Sequence, residues 1–534
     1  MTRLEAVIEI GTSAARLLVA EISGPDSWKV IDQSELPVQL GRDVFAAGGE
    51  PCLSAAVSGS VSRESLLQCL TILRRFREQL AGWNIGDGHI TAVATSAIRE
   101  AANRDAVLDR ILVKTGFPVT VIDGIEESRL MYLAVSDCLK HGGADFFEAP
   151  SIIIEVGGGS TDLLMIEKKK IQAAHSFRLG TVVVSEAVKS MAGNLNDTRQ
   201  FLREFVGKSR VLLNAEVNLN KIQHFIALGQ DPRFVADQIG ISVGSGGLPG
   251  FNPHDRVHEI DRARFNEFLS VLAEYSGEEC VARYKIPYGE AQFLHTGLMT
   301  YQMFLELTGA RTILVPATNI REGIIIDKIT REAAGTGSAL MDEFTGQIVA
   351  SAKSLARKYL TDEAHSAHVG VLALKLFDSL KFELGLDIAT RRLLEISAVL
   401  HDIGMFINGS EHHIHSAYIV AHSEIFGLTR DEKRLITKIV LLHRGRYTPN
   451  RDSDWTVLPQ ADRMLILKLA AILRIADALD RDHRQRIRNF SVDFRKDTVV
   501  IRVREKKDWT LEKIAVAKKA DMFEAVFGNR VVLE

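Results

Sequence analysis

The segment Val7-Ile8-Glu9-Ile10-Gly11-Thr12-Ser13, running on to Leu17-Leu18-Val19-Ala20-Glu21, is matched without a gap later in the same chain. Its partner is Ile153-Ile154-Glu155-Val156-Gly157-Gly158-Gly159, running on to Leu163-Leu164-Met165-Ile166-Glu167. With Glu9 laid on Glu155, 146 positions away, glycine falls on glycine, apolar runs on apolar runs, and the closing glutamate on a glutamate. Each window predicts a buried strand, a turn of small residues and a second strand, with glycine where the backbone bends or approaches a ligand closely. A period this long implies two related domains and excludes a solenoid.

The segments between and after the windows alternate in character. Leu66 to Leu80 has helical spacing, with Arg74, Arg75 and Arg77 assigned to its solvent side. His89 to Ala94, Pro118 to Ile122 and Thr312 to Val315 predict strands, while Ser128 to Leu139 and the stretch from Asn319 predict helices. The pattern is α/β to about residue 330. Glu332 to Ser338 is small and glycine-containing, and marks a junction. Beyond it, Ile348 to Tyr359, His368 to Leu380, Thr390 to Leu400 and Lys433 to Leu442 repeat at 3.6 residues, which predicts an all-helical domain. The tail alternates again at Thr498 to Val503 and closes on a helix near Lys519 to Phe527. The expected domains are 1–124, 125–330, 331–490 and 491–534.

A strand that ends in Gly157-Gly158-Gly159-Ser160-Thr161 can turn backbone N–H groups and two hydroxyls toward an anion. Gly11-Thr12-Ser13 supplies the same chemistry from the first window. Two such loops facing across a cleft would grip adjacent phosphates. Glu9, Glu155 and Asp162 can hold Mg²⁺, a hard cation that takes oxygen ligands. In Gly124-Ile125-Glu126-Glu127-Ser128-Arg129 two acids open a helix, where the dipole alone favours them, and where one carboxylate can also act as a general base. The formal net charge of −3 gives no global pull on a polyanion, so any such site must be local.

These elements resemble the exopolyphosphatase / guanosine pentaphosphate phosphohydrolase family. The resemblance takes in the two hairpins, the Gly124 to Arg129 helix start, Ala94-Thr95-Ser96-Ala97-Ile98-Arg99-Glu100, Ala317-Thr318-Asn319-Ile320-Arg321-Glu322-Gly323 and the tail. It implies an actin-like (ribonuclease H-like) tandem α/β fold, with phosphate bound by Gly11, Thr12, Ser13, Arg99, Gly157, Gly158, Gly159, Ser160 and Thr161. It also implies that Glu127 activates water, with Glu155 and Asp162 binding metal or water. The chain departs from the family pattern at four of these places. Glu9 and Glu155 stand where Asp is usual, Asp162 where Glu is usual, and Ser13 where Asn is usual.

Nine of the sixteen histidines follow residue 360. The order His365, His401-Asp402, His412-His413-Ile414-His415, His443 and Asp477 resembles the HD metallophosphohydrolase superfamily. That resemblance implies an all-α HD-type domain followed by a small α+β tail. His365, His401, Asp402 and Asp477 form its first ligand set, and His412 and His443 extend it, with His413 or His415 as substitutes for His412. Imidazole with carboxylate suits Mn, Fe, Ni or Zn alike. Arg444, Arg446, Arg451, Arg463, Arg474 and Arg481 are candidates to line a polyanion path.

The expected protein is a cytoplasmic exopolyphosphatase, dimeric by the family resemblance, with no membrane span and no nucleic-acid partner. Its four cysteines carry no paired spacing and are expected as free thiols. Three alternatives remain: guanosine pentaphosphate as substrate, nucleotide phosphohydrolysis at the histidine cluster, and a non-catalytic sensor of polyphosphate or guanosine tetraphosphate.

Overall fold

Both hairpins form. β1 (Arg3–Ile10) pairs antiparallel with β2 (Ala14–Gly24), and β6 (Ser151–Val156) pairs antiparallel with β7 (Thr161–Glu167). A third antiparallel strand follows each hairpin, β3 (Ser27–Pro37) in the first half and β8 (Lys170–Phe177) in the second. Neither third strand is signalled by apolar alternation. β3 is a sheet-edge strand of mostly polar, partly exposed residues, and β8 follows a tight turn at Lys168 and Lys169, both at positive φ.

The computed structural model describes residues 2–24, 27–45, 59–141, 147–190, 193–243, 257–333, 339–445, 453–495, 497–504 and 508–534. The chain divides into two units, Met1–Phe344 and Thr345–Glu534. In the first unit, β4 (Ile90–Ala94) and β5 (Val119–Val121) complete a sheet of order β3-β2-β1-β4-β5. The second sheet holds β9 (His224–Leu228), β10 (Ile241–Val243), β11 (Val257–Asp261) and β12 (Thr312–Pro316), in the order β10-β11-β12-β9-β6-β7-β8. Within it, β8-β7-β6-β9-β12 repeats the first sheet strand for strand. In both, three antiparallel strands are followed by two added in parallel. The short sequence repeat therefore marks a duplication of the whole five-stranded sheet, as the expected tandem fold requires.

Burial of one face explains the helices. Arg63–Gly82 is capped by Ser62, whose hydroxyl accepts from the Ser65 N–H at 3.1 Å, and it buries Cys69, Leu73, Phe76 and Leu80. Arg74 and Arg75 are exposed as expected, but Arg77 lies over the Phe117 ring at 4.0 Å and donates to the Thr115 carbonyl at 2.9 Å. Cys69, Cys138 and Cys280 are free and buried, and Cys52 lies outside the described residues.

The second unit carries the helices Glu363–Leu380, Arg391–Leu400, His412–Ala421, Arg430–Leu442 and Gln460–Ala478. Its tail forms a three-stranded sheet of β13 (Phe490–Arg495), β14 (Thr498–Val503) and β15 (Arg530–Leu533), with helices Thr510–Lys519 and Asp521–Phe527 before β15. Residues 334–338 of the expected junction lie outside the described residues. Among the described residues no helix is long and apolar enough to cross a membrane.

One contact in the first unit sets the position of Glu127 by holding its helix at close range against another. The Gly124–His141 helix packs on the Ile320–Ala333 helix with no room for a side chain at Gly323, where a Cβ would collide with the Leu130 carbonyl oxygen. Arg129 reinforces the contact by donating to Asp327 at 2.6 Å. Gly323→Val must force the helices apart, because backbone cannot yield as a side-chain tip does. We expect a loss of about 2–4 kcal/mol in urea unfolding of the full chain.

Candidate active site

The register of the two hairpins repeats to the atom. The Gly11 N–H donates to the Ala14 carbonyl at 2.9 Å, and the Gly157 N–H donates to the Ser160 carbonyl at 2.8 Å. Both N–H groups therefore close their own turns and, contrary to expectation, are not free to donate to a phosphate. Among the described residues the N–H groups of Thr12, Ser13, Gly158 and Gly159 carry no hydrogen bond. The carbonyls around them are tied down: those of Thr12 and Ser13 accept from Gly41 and Val38, and those of Gly157 and Gly158 from Thr181 and Val182, all at 2.9 Å.

The two loops pack against each other. A Cβ on Gly158 would stand 2.8 Å from the Thr12 side chain, and one on Gly159 would collide with Ser96. Thr12 and Ser96 share a hydrogen bond of 2.9 Å between their hydroxyls. None of Gly11, Gly157, Gly158 and Gly159 has a positive φ. At Gly158 and Gly159 the need for glycine is close approach, and no positive φ is used. Ser160 donates to Asp162 Oδ2 at 3.0 Å, and the Thr161 hydroxyl donates to the Leu179 carbonyl at 2.6 Å. Both hydroxyls are thus engaged within the protein.

The cross-strand partners distinguish the two hairpins. Glu9 lies opposite Arg16, and Glu155 lies opposite Asp162, so Arg16 and Asp162 occupy one position of the repeat. Arg16 approaches Glu9 at 3.3 Å and Glu35 at 3.0 Å, and Arg321 approaches Glu9 at 3.5 Å. Burial works against the Arg16 charge, but Glu9, Glu35 and Glu155 outweigh it and hold the guanidinium above its ordinary value. Burial lowers Arg321, and Arg16 adds to the effect while Glu9 opposes it.

On the other hairpin the acids have no such partner. Burial pushes Glu155 up to about 7, with Glu9 and Asp162 reinforcing it and Arg16 and Arg321 opposing. Burial also raises Asp162, against Ser176, Arg99 and Ser160. The buried Oδ1 of Asp162 meets no donor at hydrogen-bond geometry. At the helix start the two acids separate in role. Glu126 is held by Arg129 through bonds of 2.7 and 2.6 Å, whereas Glu127 contacts Arg99. Burial pushes Glu127 up to about 8; Arg99 pulls it down, and Asp162 and Glu155 push it further up. Arg99 also donates to the Ile122 carbonyl at 2.8 Å, so it positions Glu127 in addition to any contact with an anion.

The donor set fits Mg²⁺ at Glu155 and Asp162. This ion favours one or two carboxylates, with water and substrate phosphate completing its shell, and Asp162 Oδ1 is an unpartnered acceptor. Glu9, expected as a third ligand, is instead paired with arginine. Among the described residues, every group of three or more potential ligands within 4.8 Å lies in the second unit. Sequence reasoning missed Arg16, Arg321 and Tyr301. Tyr301 accepts from the Val156 N–H at 2.8 Å and donates to the Leu228 carbonyl, tying together the ends of β6 and β9. Arg16 and Arg321 stand within or beside the motifs already singled out, and laying Arg16 on Asp162 across the repeat exposes the contrast.

In the second unit His365, His401 and Asp477 form one group, and Asp402, His412 and His443 another. Asp402 joins them, with Oδ2 3.8 Å from His365 Nε2 and Oδ1 3.1 and 3.6 Å from the Nε2 atoms of His412 and His443. The Nδ1 atoms of His401 and His443 face the carbonyls of Ala398 and Val440 at 2.8 and 2.6 Å, and that of His365 faces Asp480 at 2.8 Å. A carbonyl only accepts, so Nδ1 of His401 and of His443 carries the proton and Nε2 presents a lone pair, while the Asp480 carboxylate accepts from His365 Nδ1. The Nε2 atoms of His365 and His401 are buried with no hydrogen-bond partner. A divalent transition metal fits that set of converging lone pairs and carboxylates.

His483, which sequence spacing does not suggest, joins His365 and Asp402 and stacks on His365 at 3.6 Å. His413 and His415 are in none of these groups. Arg474 is buried and binds the Leu442 and Gly445 carbonyls and Asp521, so it lines no polyanion path. Arg446 and Arg451 lie outside the described residues.

The raised Glu155 makes a stability prediction. A carboxyl that titrates near 4.5 unfolded and about 7 folded binds more protons in the folded state between those values. Its contribution is complete below pH 4.5 and is lost as pH climbs through 7. In metal-free protein Glu155→Gln should therefore be more stable than wild type at about pH 8, by an amount on the order of 1–3 kcal/mol, with the gap narrowing toward about pH 5. Urea unfolding in EDTA at the two pH values checks this, and adding Mg²⁺ should stabilise wild type alone.

Comparison with known proteins agrees with this geometry. Residues 54–332 match the model of the Ppx/GppA phosphatase family, and residues 349–520 match that of Ppx/GppA phosphatase, domain III. A guanosine-5'-triphosphate,3'-diphosphate pyrophosphatase from Vibrio vulnificus is 24% identical over 88% of this chain and 86% of its own length. One of the same name from Photobacterium profundum is 23% identical over 90% of this chain and 88% of its own. Among solved structures, an exopolyphosphatase from Cytophaga hutchinsonii superposes with a TM-score of 0.51 at 20% identity, over 61% of this chain and 98% of that one. With duplicated sheets, facing glycine loops and family models that together span most of its length, the chain belongs to the Ppx/GppA phosphatase family.

Proposed function

We propose that this chain hydrolyses the terminal phosphoric anhydride of a linear phosphate chain, releasing orthophosphate in the crevice between its duplicated halves. The observation that carries the reading is the contrast at one repeat position, Arg16 opposite Glu9 and Asp162 opposite Glu155. Both walls of the crevice offer free N–H donors to phosphate oxygens, and one adds guanidinium groups that are paired with Glu9 and Glu35. The other offers buried carboxylates that require a cation.

In this reading Thr12, Ser13, Gly158 and Gly159 donate backbone N–H groups to phosphate, and Arg16 and Arg321 supply positive charge without further reorganisation. Glu155 and Asp162 would hold Mg²⁺, which when bound neutralises phosphate charge as the leaving oxygen develops it. Glu127 orients a water and takes its proton at a carboxylate oxygen while the water oxygen bonds to the terminal phosphorus. The bond from that phosphorus to the bridging oxygen breaks, and the shortened chain leaves with the electron pair. Arg99 keeps Glu127 ionised more readily than burial alone would allow.

Inorganic polyphosphate is the simplest substrate for such a clamp, because the free N–H groups and the unpaired carboxylates suit phosphate and its counter-ion. A second substrate, guanosine pentaphosphate, is favoured by the curated relatives, which match over nearly the whole chain and bear that activity in their names. Orthophosphate release from long-chain polyphosphate and from guanosine pentaphosphate, measured side by side, separates the two.

Glu127→Gln should lower kcat on the preferred substrate by roughly 10²–10⁴-fold with little change in KM. Activity that survives Glu127→Gln and disappears in His401→Ala would place the reaction in the second unit. The pH profile offers an independent check. A base active as the carboxylate gives a rate that rises with pH and levels above its pKa. Arg99 favours the charged form, so Arg99→Gln should move that rising limb to higher pH.

A further inference from the structure

The second unit holds a cation of its own at the His/Asp cluster. Lys519, the last residue of the Thr510–Lys519 helix, places its ammonium against Asp477 Oδ2, while Asp477 Oδ1 stands 3.7 Å from His365 Nε2. One oxygen of this carboxylate therefore belongs to the potential metal set, and the other is occupied by the C-terminal tail. The delivery is built into the fold. Arg474, one helical turn before Asp477, donates to the Lys519 carbonyl at 3.3 Å and to Asp521 at 2.7 Å. The same guanidinium donates to the Leu442 and Gly445 carbonyls, at 3.3 and 2.9 Å, which flank His443 and Arg444. A single buried side chain thus ties the tail helix to the segment carrying another cluster histidine.

Two cations cannot share that carboxylate without strong repulsion. An ammonium on Oδ2 and a divalent ion reached through Oδ1 would stand only a few ångströms apart, in a site from which water is largely excluded. Removal of Lys519 would leave the empty cluster with the buried Asp477 and the half-buried Asp402 beside the unpartnered Nε2 atoms of His365 and His401. We propose that Lys519 is a tethered counter-cation for the empty centre which a divalent metal displaces, so that metal loading and seating of the Lys519 ammonium oppose each other. The proposal rests on the cluster being a metal centre. By linkage the opposition is reciprocal: whatever withdraws Lys519 tightens metal binding, and metal releases Lys519.

Manganese is a suitable probe, because free Mn²⁺ is counted directly by electron paramagnetic resonance. Full-length wild type, Lys519→Met and Lys519→Arg are titrated at neutral pH, and only sites that vanish in a His401→Ala protein are scored. Lys519→Met should bind Mn²⁺ at those sites at least about tenfold more tightly than wild type, and Lys519→Arg should stay close to wild type. A second readout needs no variant. Brief acetic anhydride labelling of wild type, read by mass spectrometry, should modify Lys519 slowly without metal and faster with Mn²⁺.

Equal or weaker Mn²⁺ binding by Lys519→Met, with labelling of Lys519 unchanged by metal, overturns the proposal. It would leave Lys519 as a group that merely orients Asp477. Absence of any His401-dependent Mn²⁺ site in both wild type and Lys519→Met overturns the metal centre itself.

Discussion

Glu155 and Asp162 face each other across the β6–β7 ladder at the mouth of the glycine loop. Like charges placed directly opposite in an antiparallel pair repel, and burial removes the water that would screen them. Nothing in the packing of β6 and β7 demands acids there; Ile154 and Leu163, one step along, are an ordinary buried apolar pair. Such a pair needs its charge offset, by a proton or by a cation, and burial accordingly raises both groups. The neighbouring groups conform to that need. Tyr301 fixes the end of β6 through the Val156 N–H, Ser160 satisfies one Asp162 oxygen, and Arg99 approaches from the side of Glu127.

Duplication explains how such a pair could arise. The first hairpin keeps the same turn, the same closing bond from glycine to the residue three positions on, and the same strand-end glutamate, yet places Arg16 where the second has Asp162. One scaffold therefore gives two chemically opposite walls by a change at one position. The departures from the family pattern have the same logic. Glu155 is longer by a methylene than the residue usual there and Asp162 is shorter, and the ladder shows the two to be direct cross-strand partners. Their combined reach is unchanged, although the point at which a shared ion would sit moves toward Asp162.

The hairpins, the α/β alternation and the turn to helix beyond residue 340 were legible because buried strands and helices have different apolar periods. The positions of Glu127, Arg99 and the glycine loops were legible because each lies in a short local motif. Other features had no local signature. β3 is a polar edge strand whose identity depends on β2 beside it. Tyr301 works 145 residues from its donor at Val156. Gly158 and Gly159 have the look of residues chosen for unusual dihedrals, whereas the reason is Thr12 and Ser96, which are far away in sequence. His483 has no spacing to recommend it and reaches His365 only because the chain turns back with a positive φ at that residue.

The histidine cluster shows how local structure can set chemistry. His401 and His443 are both the C-cap residue of a helix, and each faces, through Nδ1, the carbonyl three residues before it, that of Ala398 or Val440. Carbonyls in the last turn of a helix lack an intrahelical partner, so a histidine just past the end finds an acceptor in its own chain. Donation to that carbonyl fixes the tautomer and turns Nε2 outward from the helix end. Helix termination thus does for these imidazoles what a buried acid does for His365, whose Nδ1 faces Asp480. The result is a site of borderline-soft lone pairs, in contrast to the all-oxygen pair at Glu155 and Asp162. Any metal held at the two places would differ by ligand type, Mg²⁺ suiting oxygen alone and a transition metal suiting imidazole with carboxylate.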